Sequence, residues 1–164
     1  MSYLELLIST YRSKGIVLDA NLWILLLVGS YNKDQICKFK RTQKYTEKDF
    51  DYLCHFLSFF KIITTPNILT EVVNLTENLN NLTNGNLFIE LKRIATSHFE
   101  CTIPSVSAMD DVFQKFGLSD SVINSLSKDG YLVLTDDFPL YGYLSSSGNN
   151  VINFSHIRSE YIIE

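Results

Sequence analysis

A three-layer α/β/α sandwich around a mainly parallel sheet is the fold class that this sequence predicts, and three observations predict it. Short runs rich in Val, Ile and Leu alternate with longer stretches whose apolar residues recur at helical spacing. That alternation is the pattern of a parallel sheet covered by helices. Two of the runs, Ile16-Val17-Leu18 and Tyr131-Leu132-Val133-Leu134, lead into acids, Asp19 in one case and Thr135-Asp136-Asp137 in the other. If those strands are parallel, the acids share one edge of the sheet, the edge where open α/β sheets bind ligands. The 164 residues show no internal repeat and no linker, so 1–164 is expected to be one domain with a full core.

The elements follow in order. Residues 2–13 place Leu4, Leu7, Ile8 and Tyr11 on one helical face, and Gly15 is a stop signal. Ile16 to Leu18 is the first strand. Asn21 to Gly29 is apolar nearly all round, as a deeply buried helix is. Thr46-Glu47-Lys48-Asp49 has the form of a cap with an acidic first turn, and the helix it opens, about 47–59, buries Phe50, Leu53, Leu57 and Phe60. Lys61 to Thr64 is the second strand. Thr65-Pro66, a cap followed by Pro at the first helical position, starts the helix that carries Glu71. The Asn-rich stretch 78–86 has loop composition, 87–97 is helical, and Phe99 to Ile103 is a third strand ended by Pro104. A helix is expected over 105–116, with Asp110 and Asp111 inside it. After Gly117, Ser119 is the expected cap of a helix with Asp120 in its first turn. Gly130 closes that helix, Tyr131 to Leu134 is the next strand, Gly142 to Asn150 is a loop, and Val151-Ile152 is a final short strand.

Composition excludes several classes. Apolar residues make up 46% and charged residues 20%, which is globular rather than disordered. The longest apolar run, Leu22 to Val28, falls far short of the ~20 residues of a membrane span, and the first residues lack the form of a signal peptide. Three widely spaced cysteines, Cys37, Cys54 and Cys101, are expected to be reduced thiols in a cytoplasmic protein. The three histidines form no zinc-binding pair. A net charge of −4 is opposite in sign to that of a simple basic nucleic-acid binder. It is compatible with carboxylates gathered around a metal, whose charge restores a positive field there.

Asp19, Glu71, Asp120 and Asp137 each follow a strand end or fall in the first turns of the helix that begins there. Packed together, such acids must take up protons or bind a cation. All-oxygen ligation favours Mg²⁺ or Mn²⁺. Such a centre suits attack of water on a phosphodiester. Asn21 and Thr135 are expected to orient ligands or the phosphate from behind. Residues 32–48 hold six of the 14 basic residues, among them Lys38, Lys40, Arg41 and Lys44, with Tyr31, Phe39 and Tyr45 interleaved. They read either as an RNA-backbone contact with stacking aromatics or as a solvated loop.

The succession Val17-Leu18-Asp19-Ala20-Asn21, Leu69-Thr70-Glu71-Val72, Gly117-Leu118-Ser119-Asp120-Ser121-Val122-Ile123 and Val133-Leu134-Thr135-Asp136-Asp137-Phe138 resembles the PIN-domain ribonucleases, including the VapC-type toxins of bacterial toxin–antitoxin pairs. The resemblance covers nearly the whole chain. It rests on the order and spacing of motifs that are each only a few residues long. It implies a Mg²⁺- or Mn²⁺-dependent endoribonuclease, RNA as substrate, a protein antitoxin as partner, and frequent dimerisation. It assigns the ligand role to Asp137 and leaves Asp136 as a bystander. The long basic segment between Asn21 and Glu71 and the Asn-rich stretch near residue 80 depart from the family pattern, and no basic residue lies close enough to the motifs in sequence to be assigned to the scissile phosphate. Two other readings compete. One is a non-catalytic PIN-like module that binds RNA or protein. The other is a haloacid-dehalogenase-like phosphatase, which would want Asp where this chain has Asn21.

Overall fold

The computed structural model describes residues 1–160 and is the expected α/β/α sandwich. Five parallel strands, β1 (Ile16–Leu18), β2 (Ile62–Thr64), β3 (Phe99–Glu100), β4 (Leu132–Thr135) and β5 (Val151–Asn153), lie in the order β3-β2-β1-β4-β5. Val17 pairs with Ile63 on one side and with Val133 on the other, and Thr135 pairs with Asn153. The chain builds outward from β1 to β2 and β3, then crosses to the far side of β1 for β4 and β5. The strand order therefore reverses between β1 and β4, and the carboxyl ends of these two strands open on that switch point. All three residues of β1 and all four of β4 are buried, as central parallel strands covered on both faces must be.

Ten helices are described: α1 (Tyr3–Tyr11), α2 (Ala20–Tyr31), α3 (Glu47–Leu57), α4 (Pro66–Leu82), α5 (Asn86–Thr96), α6 (Ser105–Ala108), α7 (Phe113–Phe116), α8 (Leu118–Lys128), α9 (Phe138–Ser146) and α10 (Phe154–Glu160). The nearly all-apolar α2 is the central one, packing against α3, α4 and α5, and Leu22 through Val28 are buried within it. Burying each such side chain contributes about 1.5–3 kcal/mol. Gly29 lets α3 come close: a Cβ there would collide with the Phe50 ring. None of the described helices is long and apolar enough to cross a membrane. The three cysteines are free.

Several expected boundaries move, each for a physical reason. The Asn-rich stretch is mostly helix: α4 continues to Leu82, because Thr76 and Leu79 keep its inner face buried while the asparagines face outward. The turn is short, with Asn84 at φ 54° and Gly85 at φ 85°, and Asn80 Oδ1 reaches across it to accept from Phe88 N. The expected helix over 105–116 is two short helices. Asp110 separates them, its side chain accepting from Val112 N and so competing with helical bonding. Gly117, at φ 85°, precedes α8 in place of the expected Ser119 cap, and Ser119 lies inside the first turn. The third strand stops at Glu100. Part of the expected loop over 142–150 is the end of α9, which buries Leu140 and Leu144.

Candidate active site at the carboxyl edge of the sheet

Asp19 stands at the end of β1 and caps α2. Its Oδ1 accepts from Leu22 N at 2.9 Å. Its Oδ2 accepts from the Thr135 hydroxyl and, at 3.1 Å, from Asp136 N, so the end of β4 is tied to the end of β1 through this one carboxylate. Thr135 is fully buried, and its hydroxyl also accepts from Asp137 N at 3.0 Å. Asp137 caps α9, accepting from Leu140 N at 2.8 Å. On the other flank, Thr65 caps α4 through Ile68 N, and Pro66 takes the first helical position, as expected. This start carries half-buried Glu71 to a groove between α4 and α8, where Asn67, Thr70, Asn74, Leu118 and Ser119 are its neighbours. Asp120, half-buried in the first turn of α8, completes the set. Asn21 lies half-buried in the first turn of α2.

The electrostatics bind these residues into one cluster. Burial first, and then the charges of Asp19, Glu71 and Asp137, push the Asp120 carboxyl up to about 7. The other three predicted acids, from three separate points of the chain, therefore all act on Asp120. Asp19 is pushed up to about 7 as well, mainly by burial and next by the charge of Asp136; its bonds from Thr135, Leu22 and Asp136 pull the other way. The positive end of α2 also favours its ionised form, yet burial prevails. Among the described residues, no three of His, Cys, Asp and Glu close into a compact metal-holding group.

Asp136 and Tyr45 stand here otherwise than the sequence implies, and Lys44, a candidate RNA contact by sequence, is paired with Asp136. Asp136, the expected bystander, is buried and wired: Tyr45 donates its hydroxyl to Oδ2, and Lys44 Nζ lies 2.5 Å from the same oxygen. Its Oδ1 is buried without a hydrogen-bond partner. Lys44 thus lies beside the motif acids in space though not in sequence, and Tyr45 is buried rather than free to stack on a base. Burial first, and then the charge of Asp136, push the Tyr45 hydroxyl up, so it remains a donor. The Arg158 guanidinium lies 5.6 Å from the centre of the Tyr45 ring and pairs with Asp49 at 3.1 Å. Lys38, Lys40 and Arg41 are exposed on the same segment. Buried asparagine and aspartate side chains signal a site in general, but the pairing of Lys44 and Tyr45 with Asp136 has no local signature.

Donor chemistry at this edge fits a hard divalent cation. It is all oxygen, it repels itself when ionised, and it includes a buried carboxylate oxygen still in want of a partner. Comparison with family models, with curated proteins and with solved structures finds no match to this chain.

Proposed function

We propose that this protein is a metal-dependent endoribonuclease of the PIN-like type, serving as the toxin of a toxin–antitoxin pair. What supports the reading is that Asp120 feels the charges of Asp19, Glu71 and Asp137, and that Asp19, at the switch point of the sheet, is bonded across to Thr135 and Asp136. More broadly, an α/β/α sandwich of this kind is compatible with hydrolases and with action on nucleic acid, and the carboxylate cluster narrows that range. Asp19, Glu71, Asp120 and Asp137 would hold Mg²⁺ or Mn²⁺, which when bound makes water a better nucleophile and offsets charge on the phosphoryl oxygens.

The chain's own residues do the positioning. Thr135 donates its hydroxyl to the Asp19 carboxylate and accepts with it from Asp137 N, so the Asp19 side chain is tied to the backbone that carries Asp137. Leu22 N and Leu140 N hold one oxygen of each. Asn21, one residue into α2, is assigned to orient the phosphate. Exposed Lys38, Lys40 and Arg41 are assigned to the RNA backbone, whose binding would then weaken steeply with salt.

Cleavage of single-stranded RNA by the full chain, with Mg²⁺ or Mn²⁺ and with EDTA, tests this reading. Wild type is expected to cleave only with metal, and Asp19→Asn to lose cleavage. Equal cleavage by both proteins refutes the assigned site. Metal-independent RNA binding with no cleavage of any RNA supports instead the non-catalytic module. Growth arrest on expression, relieved by an adjacent reading frame, tests the toxin role, and sedimentation tests the dimer.

A further inference from the structure

One cation stands inside the acidic edge. In the pair formed by Lys44 and Asp136, 2.5 Å apart, the acid's side chain is 2% exposed and the lysine's is 55% exposed. One end is thus fixed and the other is free to swing. The fixed end is held by the Tyr45 hydroxyl, and the Asp136 backbone is held by its bond to Asp19. The loop that delivers the lysine is equally well built. Thr42 is fully buried and donates to Ile36 O at 2.8 Å, Ile36 and Tyr45 are buried, and Arg158 covers the Tyr45 ring. The exposed Lys44 side chain extends from this frame to Asp136.

We infer that Lys44 is a substrate-binding residue of this site, docked on Asp136 in the free protein and transferred to a phosphate oxygen when RNA binds. The inference rests on the ribonuclease reading. The lysine end of the pair is in solvent, so the cation can change partners without leaving water. A phosphodiester oxygen offers the same unit of charge, and Asp136 still keeps the Tyr45 donor after the lysine leaves. Asp136 therefore competes with RNA for this cation. Removing the lysine and removing its dock should then have opposite effects on RNA affinity, a pattern that a merely structural pair does not produce.

The test is binding of a fluorescein-labelled single-stranded RNA to the full chain in EDTA, over a range of KCl concentrations. Lys44→Gln is expected to weaken binding several-fold and to reduce the slope of log K against log salt by about 0.7, the share of one phosphate contact on a single strand. Asp136→Asn is expected to tighten binding a few-fold, and the double variant to match Lys44→Gln. Circular dichroism checks folding. If Asp136→Asn does not fold, Lys44→Arg carries the test, since it keeps the charge and so should keep the wild-type slope. An unchanged slope in Lys44→Gln overturns the phosphate contact, and binding by folded Asp136→Asn no tighter than wild type overturns the docking. Metal-dependent cleavage by wild type alongside either result leaves the ribonuclease reading standing. Neither binding nor cleavage of RNA by wild type overturns both.

Discussion

Raising the pH in the absence of metal should destabilise this protein through Asp19, and the size of the effect follows from its surroundings. Burial, and next the charge of Asp136, raise the carboxyl from its ordinary 3.8 to about 7. Between those values the folded protein keeps a proton that the unfolded chain has already released. Stability is therefore present below pH 4 and is lost as pH rises towards 7. The whole loss is on the order of a few kcal/mol. Asp120, raised to about 7, acts in the same direction. His98 opposes them: burial holds its imidazole down to about 4, so the unfolded chain takes up a proton between pH 4 and 6.5 that the folded protein refuses, and this part of stability rises with pH. The difference between wild type and Asp19→Asn cancels His98. Urea denaturation of both proteins in EDTA at constant ionic strength should show wild type losing a few kcal/mol, on the order of the Asp19 shift, relative to the variant between pH 4 and pH 8. At pH 8, added Mn²⁺ should recover part of that loss in wild type and little in the variant. A pH-independent difference, or one in which wild type gains, refutes the account of Asp19 as a buried acid in a repelling cluster.

Two further perturbations probe the frame of the site. Thr135→Val keeps the shape of the side chain but removes the donor to Asp19 and the acceptor for Asp137 N; it should lower stability by about 1–3 kcal/mol in urea denaturation and weaken Mn²⁺ binding by calorimetry. Gly29→Ala drives a methyl group into the Phe50 ring and should cost about 1–3 kcal/mol, read as a lowered denaturation midpoint without loss of metal binding.

Much of this architecture can be read in the chain because its central parts are locally consistent. Strands β1 and β4 are continuous apolar runs ending in acids, and the start of α4 is written in Thr65-Pro66. Where local composition and packing disagree, packing prevailed. Asn78 to Leu82 look like a loop, yet Leu79 holds them in α4; the Ser and Gly content after residue 141 hides the Leu140–Leu144 face of α9. The four acids are visible because each sits beside a strand end or a helix start. Tyr45 and Asp136 are 91 positions apart, and only the folded chain brings them together. No spacing rule relates them, so the pairing of Lys44 and Tyr45 with Asp136 stays hidden until the sheet is assembled.

Two of the four acids hold a second office, and this divides the cluster in an unexpected way. Asp19 and Asp137 cap α2 and α9, so a descendant chain that had given up chemistry would still need a capping side chain at both places; losing a cap costs about 1 kcal/mol. Asp or Asn at 19 and 137 is thus what the scaffold asks for in any case. Glu71 and Asp120 answer to no such demand. Thr65 caps the helix that carries one, and a glycine precedes the helix that carries the other. On the proposed reading, the pair that caps no helix is the better witness to activity, and drift at Glu71 or Asp120 would be the earliest mark of a chain that kept the fold without the reaction.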